Sequence, residues 1–263
     1  MPSTRRATLF ASVAVALGEA ERAEASAAQV SLFGDEQHAA SLTLIATREW
    51  TEAERLAHEK TALGFYLSGH PYASYAAELA PLIRQPLAGL QPRKESALIA
   101  GIVTALRVQA SKRGKMAFVT LDDGAGSAEL VVYNETFDAA RALLREDQLV
   151  VAEVKVQQRM TEDGQVQALR IVAENVYGLA AIRKRFAKGL RIACNGDANA
   201  QRLFDLLAPF RDGKGNCPIV VEYRNRDLGG EIELPEAWRV TPDEALISQL
   251  KEWLAPENVR VVY

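Results

Sequence analysis

The spacing of apolar and polar positions changes along the 263-residue chain, and its first part is helical. An alanine-rich stretch opens the chain, and Thr51 followed by Glu54 is the pattern of a capping box at the start of another helix. Three prolines then interrupt the helical pattern, as is typical of a linker: Pro81, Pro86 and Pro92. We therefore predict a helical segment with a proline-rich linker over residues 1–95.

From about Ala97 the apolar positions alternate as they do in β-strands. The predicted elements are strands at Ala97–Val108, Met116–Leu121 and Ala128–Tyr133, a helix at Phe137–Leu144, and strands at Gln148–Arg159 and Val166–Val176. Three strands, one helix and two further strands is the element order of an OB-fold, a five-stranded Greek-key barrel. We therefore predict such a barrel over residues 96–178.

The last part of the chain, residues 179–263, alternates between short helices and strands. Helices are predicted at Ala181–Lys188 and Ala198–Phe210, and strands at Leu190–Cys194, Pro218–Tyr223, Glu231–Leu234 and Val259–Tyr263. Thr241 is the predicted N-cap of a last helix, with Pro242 at its first position and Glu244 as capping-box partner. The fold class that follows is an α+β multidomain protein: a helical N-terminal segment, a five-stranded OB-fold β-barrel and a small C-terminal α/β domain.

Composition and charge narrow the class of protein. With 48% hydrophobic and 25% charged residues the chain is not disordered as a whole. Its net charge of −3 excludes a globally basic binder, so any contact with nucleic acid must be local. Two cysteines are too few for a disulfide framework, and no apolar run reaches the ~18 residues that a membrane span needs. We expect a cytoplasmic protein without membrane contact.

The N-terminus allows two interpretations. Arg5 and Arg6 precede an apolar run that resembles the hydrophobic core of a secretory signal peptide. Acidic residues such as Glu19 and Glu21 continue the same alanine-rich pattern, which favours an amphipathic helix over a signal peptide.

No catalytic motif is present in the sequence. It has no GxSxG, no P-loop, and no GxGxxG placed after a strand. Asp122 and Asp123 are adjacent and precede a glycine, so they are turn residues and poor candidates for a two-metal site. We expect no catalytic residue, metal or cofactor in this chain. A hydrolase would need a nucleophile beside a base, and no such pair is recognisable.

The pentapeptide Gln29-Val30-Ser31-Leu32-Phe33 is a candidate binding peptide. It follows the alanine-rich stretch and precedes Gly34-Asp35, so we expect it to be accessible. The amide of Gln29 can satisfy polar groups of a partner while Leu32 and Phe33 enter an apolar pocket. The alternative is that Leu32 and Phe33 pack under a neighbouring loop of this chain.

The predicted barrel offers a second candidate site, for single-stranded nucleic acid. OB-folds stack bases on exposed aromatic rings and follow the phosphates with basic side chains. The candidate residues lie on the first strands, on the loop between them, and further along the barrel: Arg107, Lys112, Arg113, Lys115, Phe118, Tyr133 and Arg159. Residues 96–178 carry 9 basic and 11 acidic residues, which opposes binding, and Phe118 could instead belong to the core.

The densest basic run is Arg183-Lys184-Arg185-Phe186-Ala187-Lys188, with Arg191 close behind. It is consistent with a surface for nucleic acid or for an acidic protein, and also with a helix face that is only solvated.

The order of these features resembles a known family. The pentapeptide with Gly34, then Trp50, then Glu59-Lys60-Thr61-Ala62-Leu63-Gly64-Phe65-Tyr66-Leu67-Ser68-Gly69-His70-Pro71 and a barrel is similar to the carboxy-terminal part of the alpha subunit of bacterial DNA polymerase III, a C-family replicative polymerase. The resemblance covers essentially the whole chain, and residues 64–71 are its most specific element.

The resemblance implies three partners. It assigns Gln29, Leu32 and Phe33 to the sliding clamp, with Ser31 where an acidic residue is common. It assigns residues 96–178 to single-stranded DNA and residues 179–263 to the tau subunit of the clamp loader. The family's polymerase palm and its PHP domain have no counterpart here, so Mg²⁺ is expected for the full-length polymerase only.

The expected function is therefore tethering of a polymerase to its clamp and clamp loader, with contact to single-stranded template. On this interpretation Met1 begins a fragment, a truncated gene model or a split subunit. The alternative is a free-standing OB-fold nucleic-acid binder, such as a tRNA anticodon-binding module, in which the pentapeptide has no role.

Overall fold

A computed structural model describes residues 5–27, 43–111, 114–160, 166–195, 199–211, 215, 217–224 and 229–263, without the side chains of 26, 27, 111, 159, 160 and 166–168. The chain divides into two compact units, Met1–His70 and Pro71–Tyr263. The predicted boundaries near residues 95 and 178 both fall inside the second unit, and the division into three domains stays a prediction.

The first unit contains helices α1 (Arg6–Ala27) and α2 (Glu52–Leu63). The predicted capping box of α2 is confirmed, because Thr51 Oγ1 accepts the backbone N–H of Glu54 at 3.3 Å and Glu54 Oε2 accepts that of Thr51 at 2.8 Å. The helix ends at Gly64, whose φ of 82° is a left-handed conformation that favours glycine.

Glu59 on α2 organises the segment that follows this helix. Its carboxylate is buried and accepts the backbone N–H groups of Leu67 and Ser68, each at 2.8 Å, and an N–H of Arg6 at 2.7 Å. The hydrogen bond from Ser68 is the main cause that lowers the pKa of Glu59 to about 2. The most specific part of the sequence resemblance is thus a segment fixed by a charged hydrogen-bond acceptor.

The second unit begins with α3 (Ala73–Leu79) and continues as a closed barrel of five strands. The barrel elements are β1 (Ala97–Ser111), β2 (Gly114–Asp122), β3 (Ser127–Tyr133), α4 (Asn134–Ala140), β4 (Leu149–Met160) and β5 (Val166–Tyr177). The strand order around the barrel is β1-β2-β3-β5-β4; β3 and β5 are parallel and the other pairs are antiparallel. The predicted OB-fold and its helix between the third and fourth strands are confirmed.

Alternation along the strands fills the barrel with apolar side chains. On β2, Ala117, Val119 and Leu121 are fully buried, while the residues between them face outward. Small and branched side chains from all five strands join them, and Phe137 and Ala140 of α4 pack against the same core. The outward-facing residues of β2 and β3 therefore do not contribute to this core and are available for another role.

A four-stranded sheet forms the rest of the second unit. Its elements are α5 (Leu179–Phe186), β6 (Gly189–Asn195), α6 (Ala200–Leu207), β7 (Ile219–Arg224), β8 (Gly229–Glu233), α7 (Glu244–Trp253) and β9 (Val259–Val262). The strand order is β8-β7-β6-β9, with β6 and β7 parallel. Helices α6 and α7 pack Leu203, Leu207, Leu246 and Leu250 into the core of this sheet.

The predicted start of α7 is wrong. The N-cap is Asp243 and not Thr241, because the Asp243 carboxylate accepts the backbone N–H of Leu246 at 2.8 Å. Pro242 therefore lies before the helix, and Glu244 is its first residue and not a capping-box partner. Asp and Thr are both good N-caps, but Asp243 directly precedes the first helical residue, so its carboxylate is the one that reaches a free N–H group of the first turn.

A buried arginine links three helices of the second unit, α3, α5 and α7. Arg183 on α5 is 2% exposed, contradicting both interpretations of the basic run as a solvated or binding surface at this position. Its guanidinium donates to both carboxylate oxygens of Glu78 at 2.7 and 2.9 Å and to Glu244 at 2.6 Å, while the Tyr263 hydroxyl donates to Glu78 at 2.9 Å. We call these four residues the junction cluster.

Hydrogen bonding in the junction cluster outweighs the cost of burial. Burial alone would raise the pKa of Glu78, but the hydrogen bonds and the charge of Arg183 bring it below its ordinary value. Burial, followed by the charge of Glu78, raises the pKa of Tyr263. Glu78 is therefore ionised and hydrogen-bonded to Arg183, as a buried arginine requires.

Candidate nucleic-acid interface

One outer face of the barrel combines aromatic, apolar and basic side chains. Phe118 on β2 pairs across the strands with Val131 on β3, and Met116 pairs with Tyr133. These four residues share the outward side of their strands, since Ala117 and Val132 between them are fully buried. The face is an open apolar surface with two rings, and not part of the barrel core.

A cavity of about 730 Å³ lies over this face. The two rings line it together with residues from β5 and from the segment that precedes the barrel: Leu87, Ala88, Leu90, Met116, Phe118, Ser127, Ala128, Glu129, Val131, Tyr133, Leu169, Arg170 and Ile171. Its size is within the usual range for ligand-binding clefts.

A short 3₁₀ helix, Leu87–Gly89, contributes one side of the cavity. The turn between β2 and β3 holds this helix, because Asp123 accepts the backbone N–H of Leu87 at 2.7 Å. Gly126 in the same turn permits the close approach, since a Cβ there would lie 2.8 Å from the Cβ of Ala88. Asp122 and Asp123 are turn residues as predicted, and their carboxylates also accept N–H groups within the turn.

Each ring of the face is accompanied by an arginine. The guanidinium of Arg107 lies over the Phe118 ring, 4.8 Å from its centroid, and 3.8 Å from the Glu129 carboxylate. Arg170 donates a hydrogen bond to the hydroxyl of Tyr133. The face therefore offers two rings on which bases can stack, with a cation beside each ring for phosphates; of the two arginines, Arg170 lines the cavity.

The structure brings only some of the predicted residues together. Arg107, Phe118 and Tyr133 lie on the face just described, and the alternative that Phe118 belongs to the core is wrong, since it faces outward. Lys115 is exposed but lies on the opposite side of β2, because it has the same alternation as the buried Ala117.

The remaining predicted residues lie outside the part of the chain that the structure describes, or have side chains outside it. Lys112 and Arg113 lie outside the described residues, as does the side chain of Arg159. The proposed clamp-binding residues Gln29, Leu32 and Phe33 also lie outside them. Their roles stay predictions.

Sequence reasoning missed Arg170 and Glu129. Both are on strands that were predicted, and their alternation with Ile171 and Leu130, which are buried, places them on the outer side. That signal was available, but only the parallel pairing of β3 with β5 brings Arg170 beside Tyr133.

The C-terminal sheet carries a second, apolar cavity of about 370 Å³. Helix α6, strands β7 and β8 and two tryptophans line it: Cys194, Asn199, Ala200, Leu203, Phe204, Leu207, Val221, Tyr223, Ile232, Leu234, Trp238 and Trp253. Phe204 and Ile232 are 47% and 57% exposed, and the Phe204 ring lies 4.6 Å from that of Trp238. We call this cavity, with its exposed side chains Phe204 and Ile232, the apolar groove.

The part of the chain that the structure describes contains no group of three or more His, Cys, Asp or Glu side chains that could hold a metal ion. Within the same residues, no helix has both the length and the hydropathy to cross a membrane. Cys194 and Cys217 are both buried and form no disulfide with each other, and burial raises the pKa of each thiol.

Two parts of the chain match known protein families. Residues 97–177 match the OB-fold nucleic acid binding domain, and residues 202–254 match the C-terminal domain of DNA polymerase III subunit alpha. The DNA polymerase III subunit alpha of Neisseria meningitidis serogroup A is 37% identical over 258 residues, which are 97% of this chain. Over almost its whole length the chain is similar to the DNA polymerase III alpha subunit.

The alpha-subunit relatives are much longer than this chain. The subunit of Pseudomonas aeruginosa is 35% identical over 266 residues, which are 98% of this chain. Each of the two matches covers 22% of the relative's length. The resemblance seen in the sequence, to the carboxy-terminal region of the alpha subunit, is confirmed.

Solved structures include a similar barrel. The second OB-fold domain of replication protein A from Methanococcus maripaludis is 21% identical and covers 36% of this chain and 93% of its own length, with a TM-score of 0.27. A likeness this weak has no bearing on function.

Proposed function

We propose that this chain is a non-catalytic, carboxy-terminal part of a replicative DNA polymerase alpha subunit, which contacts single-stranded template and tethers the polymerase to its sliding clamp and clamp loader. The observation that carries the first part of the proposal is the face with Phe118 and Tyr133. Two rings with an arginine at each, over one cavity, are the groups that stack bases and contact phosphates.

The face also explains how an acidic module can bind DNA. Residues 96–178 are net negative, with 9 basic against 11 acidic residues, so a long-range field does not attract the strand. Binding then depends on stacking with Phe118 and Tyr133 and on a few phosphate contacts, including Arg170. We expect weak affinity and a shallow salt dependence, which suits a template that must slide.

The tethering part of the proposal rests on two other regions. Gln29, Leu32 and Phe33 would dock on the clamp, with roughly micromolar affinity because a pentapeptide buries little surface. The apolar groove beside Phe204 would receive the tau subunit, since exposed apolar clefts of this kind are typical of protein partners. Two weak contacts can still hold a polymerase on DNA, because tethering raises local concentrations to about millimolar.

The alternative, a free-standing anticodon-binding module, is less well supported. It requires only the barrel, whereas the match to DNA polymerase III subunit alpha extends over 97% of this chain. The match of residues 202–254 to the C-terminal domain of that subunit lies outside the barrel altogether. The sequence similarity to that subunit therefore extends beyond the barrel.

Binding of the full chain to a fluorescein-labelled 15-residue oligodeoxythymidine, followed by anisotropy, tests the template contact. Phe118→Ala together with Tyr133→Ala should weaken binding at least about tenfold, because each stacked base is worth about 1–3 kcal/mol. Phe65→Ala, which truncates an exposed ring in the first unit, is the matched control and should bind like the wild type. Equal affinity of the wild type and the double variant would contradict the proposal.

Pulldowns of the full chain test the tether. Leu32→Ala with Phe33→Ala should abolish capture by the sliding clamp and leave capture by tau intact, whereas Phe204→Asp should do the reverse. Retention of both variants by both partners would refute these docking sites.

A further inference from the structure

The ring of Phe118 is not free to receive a base in the structure described. The guanidinium of Arg107 lies over it, 4.8 Å from the ring centroid. The same guanidinium is 3.8 Å from the carboxylate of Glu129, which lines the cavity beside the ring. A base that stacks on this ring must therefore displace a side chain that is held by an acidic neighbour.

We propose that Arg107 and Glu129 form an ionic latch over Phe118, which a single strand opens by exchange. The incoming base takes the face of the Phe118 ring, and the displaced guanidinium turns from the carboxylate to a phosphate of the same strand. This inference rests on the proposed template contact and adds Glu129 as the residue that sets its strength.

The pairing of β1, β2 and β3 brings the residues of the latch together. Arg107 pairs directly with Phe118 across β1 and β2, and Glu129 pairs with Thr120, the next outward residue of β2. Arginine and glutamate thus approach from opposite sides of β2 and meet beside the ring. The cavity also contains Arg170, which donates to Tyr133 and remains a second cation for the backbone.

The latch is weak enough to open. The side chains of Arg107 and Glu129 are 70% and 56% exposed, and ion pairs at such exposure contribute little. An exposed contact between a cation and a ring is similarly weak. A stacked base and a phosphate replace both contacts with stronger ones, whereas the Glu129 carboxylate stays nearby and repels the phosphate.

Replacing the carboxylate tests the latch in the full chain. Glu129→Gln should bind the labelled oligodeoxythymidine about threefold more tightly than the wild type. Its affinity should also fall more steeply with salt, by up to about one unit of slope, because Arg107 can then neutralise a phosphate fully. Glu146→Gln removes the same charge from an exposed position outside the cavity and should leave affinity and slope unchanged.

A double-mutant cycle decides whether Glu129 acts through Arg107. In an Arg107→Ala background, Glu129→Gln should no longer tighten binding more than Glu146→Gln does. A threefold gain that persists without Arg107 would overturn the latch, because Glu129 would then act only by repulsion. The latch would also be overturned if Glu129→Gln and Glu146→Gln bound the oligodeoxythymidine with the same affinity while Phe118→Ala bound it more weakly than the wild type.

The failure of the latch differs from that of the proposed function. If Phe118→Ala with Tyr133→Ala leaves binding unchanged, the face is not the template contact, and the latch falls with it. If that double variant binds the oligonucleotide more weakly, but the double-mutant cycle shows no coupling between Glu129 and Arg107, the template contact stands and only the latch is rejected.

Discussion

Two arginines of the second unit have similar partners and opposite surroundings. Arg183 in the junction cluster contacts Glu78, Glu244 and, through Glu78, the hydroxyl of Tyr263. Arg107 on the barrel face contacts Glu129 and the ring of Phe118. The side chain of Arg183 is 2% exposed and that of Arg107 is 70% exposed.

The difference shows that exposure, and not the chemistry of the pair, decides what each arginine does. A buried guanidinium has lost its water and needs all its hydrogen bonds from the protein, so its partners cannot be exchanged without a large loss of stability. An exposed guanidinium can exchange a carboxylate for water or for a phosphate at little cost. Arg183 therefore fixes α5 to α3 and α7, and Arg107 is suited to binding.

The largest expected effect tests the buried side of this comparison. Glu78→Gln removes the bidentate partner of Arg183 and should lower the free energy of unfolding by about 3 kcal/mol, because it leaves a buried charge only partly compensated. Urea unfolding of the full chain, followed by tryptophan fluorescence, measures the loss. Glu252→Gln on the exposed side of α7 is the matched control and should change stability by less than about 0.5 kcal/mol.

A second variant separates charge from packing in the junction cluster. Arg183→Met combined with Glu78→Leu replaces both buried charged groups by apolar chains, and the pair of changes should cost less than Glu78→Gln alone because no buried charge is left without its partner. A larger loss for the double variant would mean that the cluster stabilises the unit mainly through its hydrogen bonds.

Acid should remove part of the same stabilisation. The pKa of Glu78 in the folded chain is below its ordinary value of 4.5. Its ionisation therefore contributes stability that is fully present above pH 4.5 and is lost as the pH falls through the lower, folded value. The stability difference between the wild type and Glu78→Gln should narrow on acidification from pH 6 to about pH 3, as urea titrations at each pH would show. A constant difference would indicate that Glu78 is not titrating in this range.

The smallest expected effect belongs to the exposed arginine. Arg107→Ala should change the free energy of unfolding by no more than about 0.5 kcal/mol, because both of its contacts are solvent-exposed. Urea unfolding under the conditions used for Glu78→Gln measures it. A loss near that of Glu78→Gln would refute the comparison, since the barrel face would then be structural and not a binding surface.

The strands of the barrel could be predicted from the sequence because their signal is local. The predicted strand Met116–Leu121 is part of β2, and its alternation is seen in the burial of Ala117, Val119 and Leu121. The start of α7 was misplaced by two residues, because Thr241 and Asp243 are both plausible caps and only the folded backbone selects one. The structure also contradicts the assignment of Arg183 to a basic surface, since its partners Glu78 and Glu244 are distant in sequence.

The candidate site divides in the same way. Phe118 and Tyr133 were predicted because aromatic residues on OB-fold strands have a known use, and their outward position follows from alternation. Arg170 and Glu129 were missed, since their significance depends on which strands are neighbours: β3 lies beside β5 although α4 and β4 separate them in the sequence.

By itself, the sequence determined the barrel and the resemblance to the DNA polymerase III alpha subunit, because hydrophobic alternation and short motifs are properties of neighbouring residues. Only the tertiary structure decided which charges meet. Burial of Arg183 and exposure of Arg107 depend on contacts between residues up to 105 positions apart, and the free energy of a charge depends on the water that those contacts exclude.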